Sequence, residues 1–140
     1  MAVKRSLFDS GRDGAWRDLG LLLLRLGFAG SMLLNHGWGK LVNFGNLSAK
    51  FPDPLGVGSA ASLVLAIFGE VICAVAVVFG FLGRWAAIPM AITMAVAFFI
   101  VHAADPFREK ELALVYLLAF VALALAGPGR FSLDRLIGRR

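Results

Sequence analysis

The sequence predicts an all-α integral membrane protein, a bundle of four transmembrane helices. Two observations predict this class. Hydrophobic residues make up 59% of the 140 residues and the mean hydropathy is +0.80, whereas a soluble domain is about half apolar. The apolar residues also come in four long blocks. Inside a bilayer each block must satisfy its own backbone hydrogen bonds, which favours helices.

The four blocks are the predicted spans, and turn residues separate them. The blocks cover residues 19–34 (continuing through Trp38), 60–82, 85–101 and 112–126. The predicted breaks are residues 51–59, 80–84, 102–107 and 127–129, which are rich in glycine and proline. A helix needs about 20 residues to cross the hydrocarbon. The second block is therefore long enough alone, and the fourth is short.

The distribution of lysine and arginine predicts that both termini are cytoplasmic. With four spans, nine of the 14 basic residues lie on the side that holds both termini, and four lie on the other side. The chain then divides into a cytoplasmic N-terminal segment (residues 1–18), a four-span domain (19–127) and a cytoplasmic interfacial tail (128–140). In the tail, Leu133, Leu136 and Ile137 share one face of a short helix beside arginines, as interfacial helices do.

Composition also argues against several function classes. The basic residues cluster at the chain ends beside hydrophobic blocks, which is typical of membrane anchoring and not of nucleic-acid binding. The single cysteine, Cys73, excludes an intrachain disulfide and a cysteine-based zinc site, and no metal is expected. Neither a Ser-His-Asp order nor a phosphate or dinucleotide fingerprint is present. The sequence therefore identifies no catalytic residue.

Charged residues inside the spans mark the candidate site. A charge at mid-bilayer costs about 2.5–3.5 kcal/mol and usually faces the bundle interior. Counting from the helix ends places Arg25 and Glu70 at similar depth, so we predict a structural ion pair between them. His36 is three helical turns beyond Arg25, which predicts a shared face, and Lys40 extends that face.

The ends of the third and fourth helices add His102 and Glu111 on the same outer side. We therefore predict a polar pocket that opens toward the outer leaflet. Its predicted substrate-binding residues are Arg25, His36, Lys40, Glu70, His102 and Glu111. Two structural interpretations stay open: the ion pair fixes helix register, and His36 and Lys40 anchor the helix at the interface.

Several segments resemble the DoxX family of small bacterial membrane proteins over about residues 19–137. The resemblance rests on "LRLGFAGSMLLNHGWGKL", "IFGEVICAVAVVFGFLGRWAAIPM", "FFIVH" and "AGPGRFSLDRLI". The shared features fall on Arg25, His36-Gly37 with Lys40, Glu70, the turn at residues 80–84 and Gly127–Arg130. The resemblance implies a multi-pass protein of the bacterial inner membrane.

The same resemblance implies a quinone-related role or a subunit of a redox complex. Quinone is then the expected ligand, no cofactor is bound covalently, and electrons reach the site from a soluble or membrane redox partner. A histidine near a quinone oxygen could move protons, since imidazole titrates near neutral pH. Two alternatives stay open: a non-enzymatic membrane scaffold or assembly factor, and a small-molecule carrier. A homo-oligomer also stays open.

Overall fold

A computed structural model describes residues 10–138, and within that range the chain is helical and has no strand. The predicted all-α class is confirmed. We number the helices in chain order. They are α1 (residues 10–42), α2 (Phe44–Leu47), α3 (Ser59–Phe79), α4 (Gly83–Val101), α5 (Phe107–Ala126) and α6 (Leu133–Ile137). The terminal basic residues that contribute to the predicted orientation, Lys4, Arg5, Arg139 and Arg140, lie outside the described residues.

Within residues 10–138, three helices are long and apolar enough to cross a membrane: Gly14–Val42 within α1, and the whole of α3 and α4. Helix α1 therefore begins earlier and ends later than the first apolar block, and residue 19 lies inside it. Helix α5 has 20 residues, four of them charged and within its first five positions. It packs along the length of α4 in the most extensive helix contact of the described chain.

Small residues bring α1, α3 and α4 close together. A Cβ atom at Gly37 would overlap the backbone carbonyl of Glu70, and one at Gly69 would lie 2.5 Å from the Thr93 hydroxyl oxygen. Glycine permits such close helix crossings inside membranes because no side chain separates the backbones. These two crossings fix the position of Glu70 relative to α1 and α4.

Four wide π turns interrupt the long helices. They are Arg25–Ala29, Leu33–Gly37, Phe68–Ile72 and Ala97–Val101. Each adds about one residue to its turn, which rotates the following side chains by ~100° relative to an unbroken α-helix. The turns contain or adjoin Arg25, His36, Glu70 and His102. Hydropathy patterns carry no signal for them, so the sequence did not predict them.

The tail folds back against the end of the bundle where α3 ends and α4 begins. We call this the inner end, and the opposite one the outer end, after the orientation that the sequence predicts. The Asp134 carboxylate accepts hydrogen bonds from the backbone N–H groups of Leu82 (2.7 Å) and Gly83 (2.9 Å), and so caps the start of α4. Asp18 on α1 accepts one from the Arg130 N–H at 3.2 Å. Leu136 remains exposed on α6, a surface suited to the predicted interfacial position.

Candidate functional site

A cavity of about 440 Å³ lies between the outer halves of α3 and α4, with the end of α1 on one side and residues 51–55 above it. Its walls are mostly apolar. The helical wall residues are Leu65, Ala66, Phe68, Pro89, Ile92, Met94, Val96, Ala97 and Val101. The polar lining residues are Lys40, Ser62, Glu70, Thr93 and His102. A few polar groups in an apolar cavity of this size are typical of small-molecule sites.

An ion pair forms the polar part of the wall. The Lys40 Nζ donates to the Glu70 carboxylate at 2.5 Å, and it also donates to the backbone carbonyl of His36 at 3.3 Å. Glu70 is buried at 5% exposure, whereas 22% of the Lys40 side chain is accessible. A buried carboxylate needs such a partner because an unpaired charge is costly to remove from water.

Arg25 does not pair with Glu70 in the described structure, contrary to the sequence prediction. Its guanidinium donates to four backbone carbonyls: Val77 (2.8 Å), Val78 (2.7 Å), Pro128 (2.9 Å) and Phe131 (2.6 Å). Val77 and Val78 belong to the last turn of α3, where carbonyls lack the usual helical N–H partner, and the Val77 carbonyl also accepts the Gly80 N–H at 3.1 Å. Arg25 therefore joins α3 to the tail at the inner end of the bundle, ~10 Å along α3 from Glu70.

The prediction that Arg25 and Glu70 lie at similar depth was wrong because the outer ends of α1 and α3 lie at different depths. Gly37 lies against Glu70, so the antiparallel register places Val42 opposite about residue 65. Helix α3 then begins ~9 Å farther out than α1 ends. Glu70 consequently meets the outer part of α1, where Lys40 lies, and Arg25 is too deep to reach it.

The predicted shared face of Arg25 and His36 is also wrong. Two π turns lie along α1 between and around these residues, and they rotate His36 away from the face of Arg25. The His36 ring instead packs edge-on against Tyr116 of α5, with ring centroids 5.6 Å apart. His36 therefore belongs to the contact between α1 and α5.

The other two predicted site residues, His102 and Glu111, lie in different places. His102 lines the cavity, and its Nδ1 lies 2.6 Å from the Asp105 carboxylate. Glu111 is exposed on α5. Among the described residues, the structure thus brings Lys40, Glu70 and His102 to one cavity and places Arg25, His36 and Glu111 outside its lining.

The sequence analysis missed the part of the site formed by the loop after α2. Asp53 accepts hydrogen bonds from the Ser62 hydroxyl (2.7 Å) and from the N–H groups of Val57 (2.9 Å) and Gly58 (2.8 Å). The hydrogen bond from Ser62, followed by the backbone ones, lowers the pKa of Asp53 below its ordinary value. The signal was present in "FPDPLGVGS", where an aspartate precedes turn glycines and a serine.

The ion pair of the site places one ammonium and one carboxylate beside apolar walls. Within residues 10–138, no group of three or more His, Cys, Asp or Glu side chains is placed to hold a metal. Lys40 supplies an ammonium donor, and Glu70 supplies a carboxylate acceptor. The arrangement can therefore hydrogen-bond an oxygen-bearing ligand whose body contacts the apolar walls.

Comparisons with known proteins found one family and two relatives that match this chain. The DoxX family model matches residues 20–103. The inner membrane protein YqjF of Escherichia coli is 29% identical over 129 residues, which cover 88% of this chain and 95% of the relative. An uncharacterized protein of Haemophilus influenzae is 27% identical over 136 residues, 92% of this chain and 90% of the relative. No solved structure matches the chain.

The family match spans more than half of the chain and includes Lys40, Glu70 and His102. The family predicted from sequence motifs is therefore confirmed. The three apolar helices, the family and the inner membrane relative together place the protein in the bacterial inner membrane as a multi-pass protein, also as predicted. The chain belongs to the DoxX family.

Proposed function

We propose that the cavity binds a quinone or quinol taken from the bilayer, and that the protein serves a membrane redox complex through this site. The observation that carries the proposal is the Lys40–Glu70 ion pair on the wall of an otherwise apolar cavity of about 440 Å³. Small-molecule sites of ~300–1,000 Å³ are mostly apolar and contain a few polar groups that orient the ligand. A quinone has an apolar ring and tail with oxygens that need hydrogen-bond partners.

The ion pair suits both redox forms of such a ligand. The Lys40 ammonium can donate to a quinone carbonyl oxygen, and the Glu70 carboxylate can accept from a quinol hydroxyl. Because the pair as a whole is neutral, a neutral ligand enters without leaving an uncompensated charge in an apolar site.

The surfaces around the cavity support access from the bilayer. Four lining residues are also exposed on the outer surfaces of α3 and α4: Leu65 (52%), Phe68 (44%), Ile92 (58%) and Val101 (43%). In a membrane these apolar side chains face hydrocarbon. A ligand dissolved in the bilayer can therefore reach the cavity between the two helices without crossing water.

We also infer that α5 is the fourth span and that both termini are cytoplasmic. Helix α5 has 20 residues, which is ~30 Å and close to the hydrocarbon thickness. Its charged first turn, with Arg108 and Glu111, then lies at the outer interface. The excess of lysine and arginine on the side of the termini supports the same orientation.

The test is a titration of the purified protein, in mild detergent, with short-chain ubiquinone and menaquinone. We expect saturable binding that weakens at least about tenfold in Glu70→Gln and in Lys40→Met, because each variant loses a charge-assisted hydrogen bond to the ligand. Glu111→Gln is the matched control, since this carboxylate lies outside the cavity lining. It should bind as the unmodified protein does.

Two outcomes would contradict the proposal. Equal binding by Glu70→Gln and the unmodified protein would show that the ligand does not depend on the Lys40–Glu70 pair. No saturable binding, with all variants folded, would favour a membrane scaffold or assembly factor. The uncovered surface of α1, which exposes Leu34, Asn35 and Trp38, is the feature that supports this second candidate, and the next step would be to identify co-purifying proteins.

A further inference from the structure

The outer end of the cavity is covered by residues 51–58, which we call the lid. Phe51, Pro52, Pro54 and Leu55 from this segment all line the cavity. The lid follows the short helix α2 and leads directly into α3. It therefore lies between the cavity and the water on the outer side of the membrane.

Two hydroxyl groups at the start of α3 hold the lid in place. Ser59 donates to the backbone carbonyl of Phe51 at 2.7 Å, and Ser62 donates to the Asp53 carboxylate at 2.7 Å. Ser62 is buried at 7% exposure and itself lines the cavity, whereas Asp53 is exposed. The hydrogen bond between Ser62 and Asp53 thus joins the cavity wall to the outer surface.

The Asp53 carboxylate also makes hydrogen bonds within the lid. It accepts the N–H groups of Val57 and Gly58 at 2.9 and 2.8 Å, so one side chain connects the middle of the lid, its end and α3. Gly56 and Gly58 have φ values of +69° and +102°, which side-chain-bearing residues rarely adopt. The lid is therefore a tight turn whose attachment to α3 depends mainly on Asp53 and the two serines.

We propose that residues 51–58 form a lid that separates the cavity from outer water, and that the Asp53–Ser62 hydrogen bond is its latch. The cavity then has two separate routes of access. The route between α3 and α4 admits apolar molecules from the bilayer, and the route past the lid admits water and polar molecules only when the latch breaks. The closed lid keeps the Lys40–Glu70 pair in a dry environment, where its interactions are strong. This inference holds whichever ligand the cavity binds.

The experiment measures access to a cysteine in the cavity wall and needs no quinone. Cys73, which is buried in the core at 4% exposure, is replaced by alanine, and Ala66→Cys places a reporter on the cavity wall one helical turn from Ser62. The protein is studied in lipid nanodiscs, where both faces meet water. Two thiol reagents are compared: a charged methanethiosulfonate, which arrives through water, and neutral N-ethylmaleimide, which also dissolves in the bilayer.

We expect the charged reagent to react slowly while the lid is latched. Ser62→Ala should raise its rate on the order of tenfold, the factor for losing one hydrogen bond to a charged group. The rate with N-ethylmaleimide should stay the same. Asp53→Ala is a second latch variant, in case Ser62→Ala reduces expression. Ser48→Ala is the control, because this hydroxyl donates to the Gly45 carbonyl outside the lid.

Two results would contradict the proposal that residues 51–58 form a lid. One is an unchanged rate of the charged reagent in both latch variants. The other is an equal increase with both reagents, which would show general loosening of the helices. Since the readout contains no quinone, failure of the lid and failure of quinone binding are separate outcomes.

Discussion

Two of the three buried charged residues in the described part of the chain, Arg25 and Glu70, are accommodated in opposite ways. Arg25, 2% exposed, donates to four backbone carbonyls from α3 and the tail, at 2.6–2.9 Å. Glu70, 5% exposed, has the partly accessible Lys40 as its hydrogen-bond partner and borders a cavity of about 440 Å³. Arg25 uses fixed acceptors of the fold, whereas Glu70 pairs with a flexible side chain next to open space.

This difference separates a structural charge from a candidate functional one. A residue whose hydrogen bonds go to the backbone of two other segments holds them to its own helix, and its loss should unfold the inner end. A residue paired with one flexible side chain at a cavity can exchange that partner for a ligand oxygen. An ionisable residue inside a membrane is a candidate functional site by default, and its partners show which of the two roles it has.

The largest expected effect tests the structural side of this comparison. Arg25→Ala should lower the free energy of unfolding by about 3–5 kcal/mol, because it removes four charge-assisted hydrogen bonds that join α1 to α3 and the tail. Arg25→Lys should recover only part of this loss. The ammonium of lysine lacks the planar array of N–H donors with which the guanidinium reaches four carbonyls. Thermal unfolding in detergent measures the change, and trypsin cleavage after Arg130 reports release of the tail. Arg17→Ala, at a side chain that is 75% exposed, is the control.

The next effect tests whether the ion pair of the cavity can be replaced. Lys40→Met should destabilise the protein by about 2–3 kcal/mol, since it leaves Glu70 buried without its partner. Adding Glu70→Leu should restore most of this loss, because the unpaired charge disappears. Lys50→Met, at an exposed residue of the outer loop, should have no effect. If the double variant were less stable than Lys40→Met, Glu70 would have a structural role like that of Arg25.

A smaller effect tests the helix crossing that brings Glu70 to α1. Gly37→Ala should destabilise by about 1–2 kcal/mol, because the new Cβ would overlap the Glu70 carbonyl and force the backbones apart. Gly39→Ala is a matched control two residues away, since a Cβ there meets nothing within 4 Å. Thermal unfolding of both variants measures the difference. Equal midpoints would mean that the crossing relaxes at no cost.

The smallest expected effect is the loss of stability of the lid, residues 51–58, at acid pH. Hydrogen bonds from Ser62 and the backbone lower the pKa of Asp53 below its ordinary value of 3.8. A lowered pKa means that the ionised carboxylate stabilises the loop fully above the ordinary value, and that this stabilisation is lost as pH falls through the folded value. Carboxyl NMR of the protein in micelles should show this low midpoint. Ser62→Ala should raise it toward 3.8, and an unchanged midpoint would exclude Ser62 as the main donor.

The apolar blocks and the turn residues were sufficient to predict the helices, and the motifs were sufficient to predict the family. Proline and glycine mark breaks through local backbone chemistry, which is visible in any single sequence. Glu70 was recognised as part of the site for the same reason, since a carboxylate within an apolar block is locally unusual. Each of these inferences needs only near neighbours in the chain.

The partners of these residues could not be predicted in the same way. Pairing Arg25 with Glu70 assumed level helix ends and unbroken α-helical geometry, and both assumptions failed through the π turns and the offset of α3. The tail carbonyls that Arg25 contacts are backbone groups, which every residue has, so no side-chain pattern points to them. The lid was missed because its role depends on α3 and α4 diverging beneath it, a feature of tertiary packing.

The order of synthesis gives the Arg25 contacts a further consequence. The acceptors of Arg25 follow it in the chain by 52 residues at Val77 and by 106 at Phe131. During biosynthesis the first span thus enters the membrane with an unpaired guanidinium, a charge that costs about 2.5–3.5 kcal/mol at mid-bilayer and less toward an interface. That cost is offset only when α3 and then the tail have been made. The hydrogen bonds of Arg25 are therefore complete only after residue 131 has been made, and a chain truncated before residue 128 would lack two of the four acceptors.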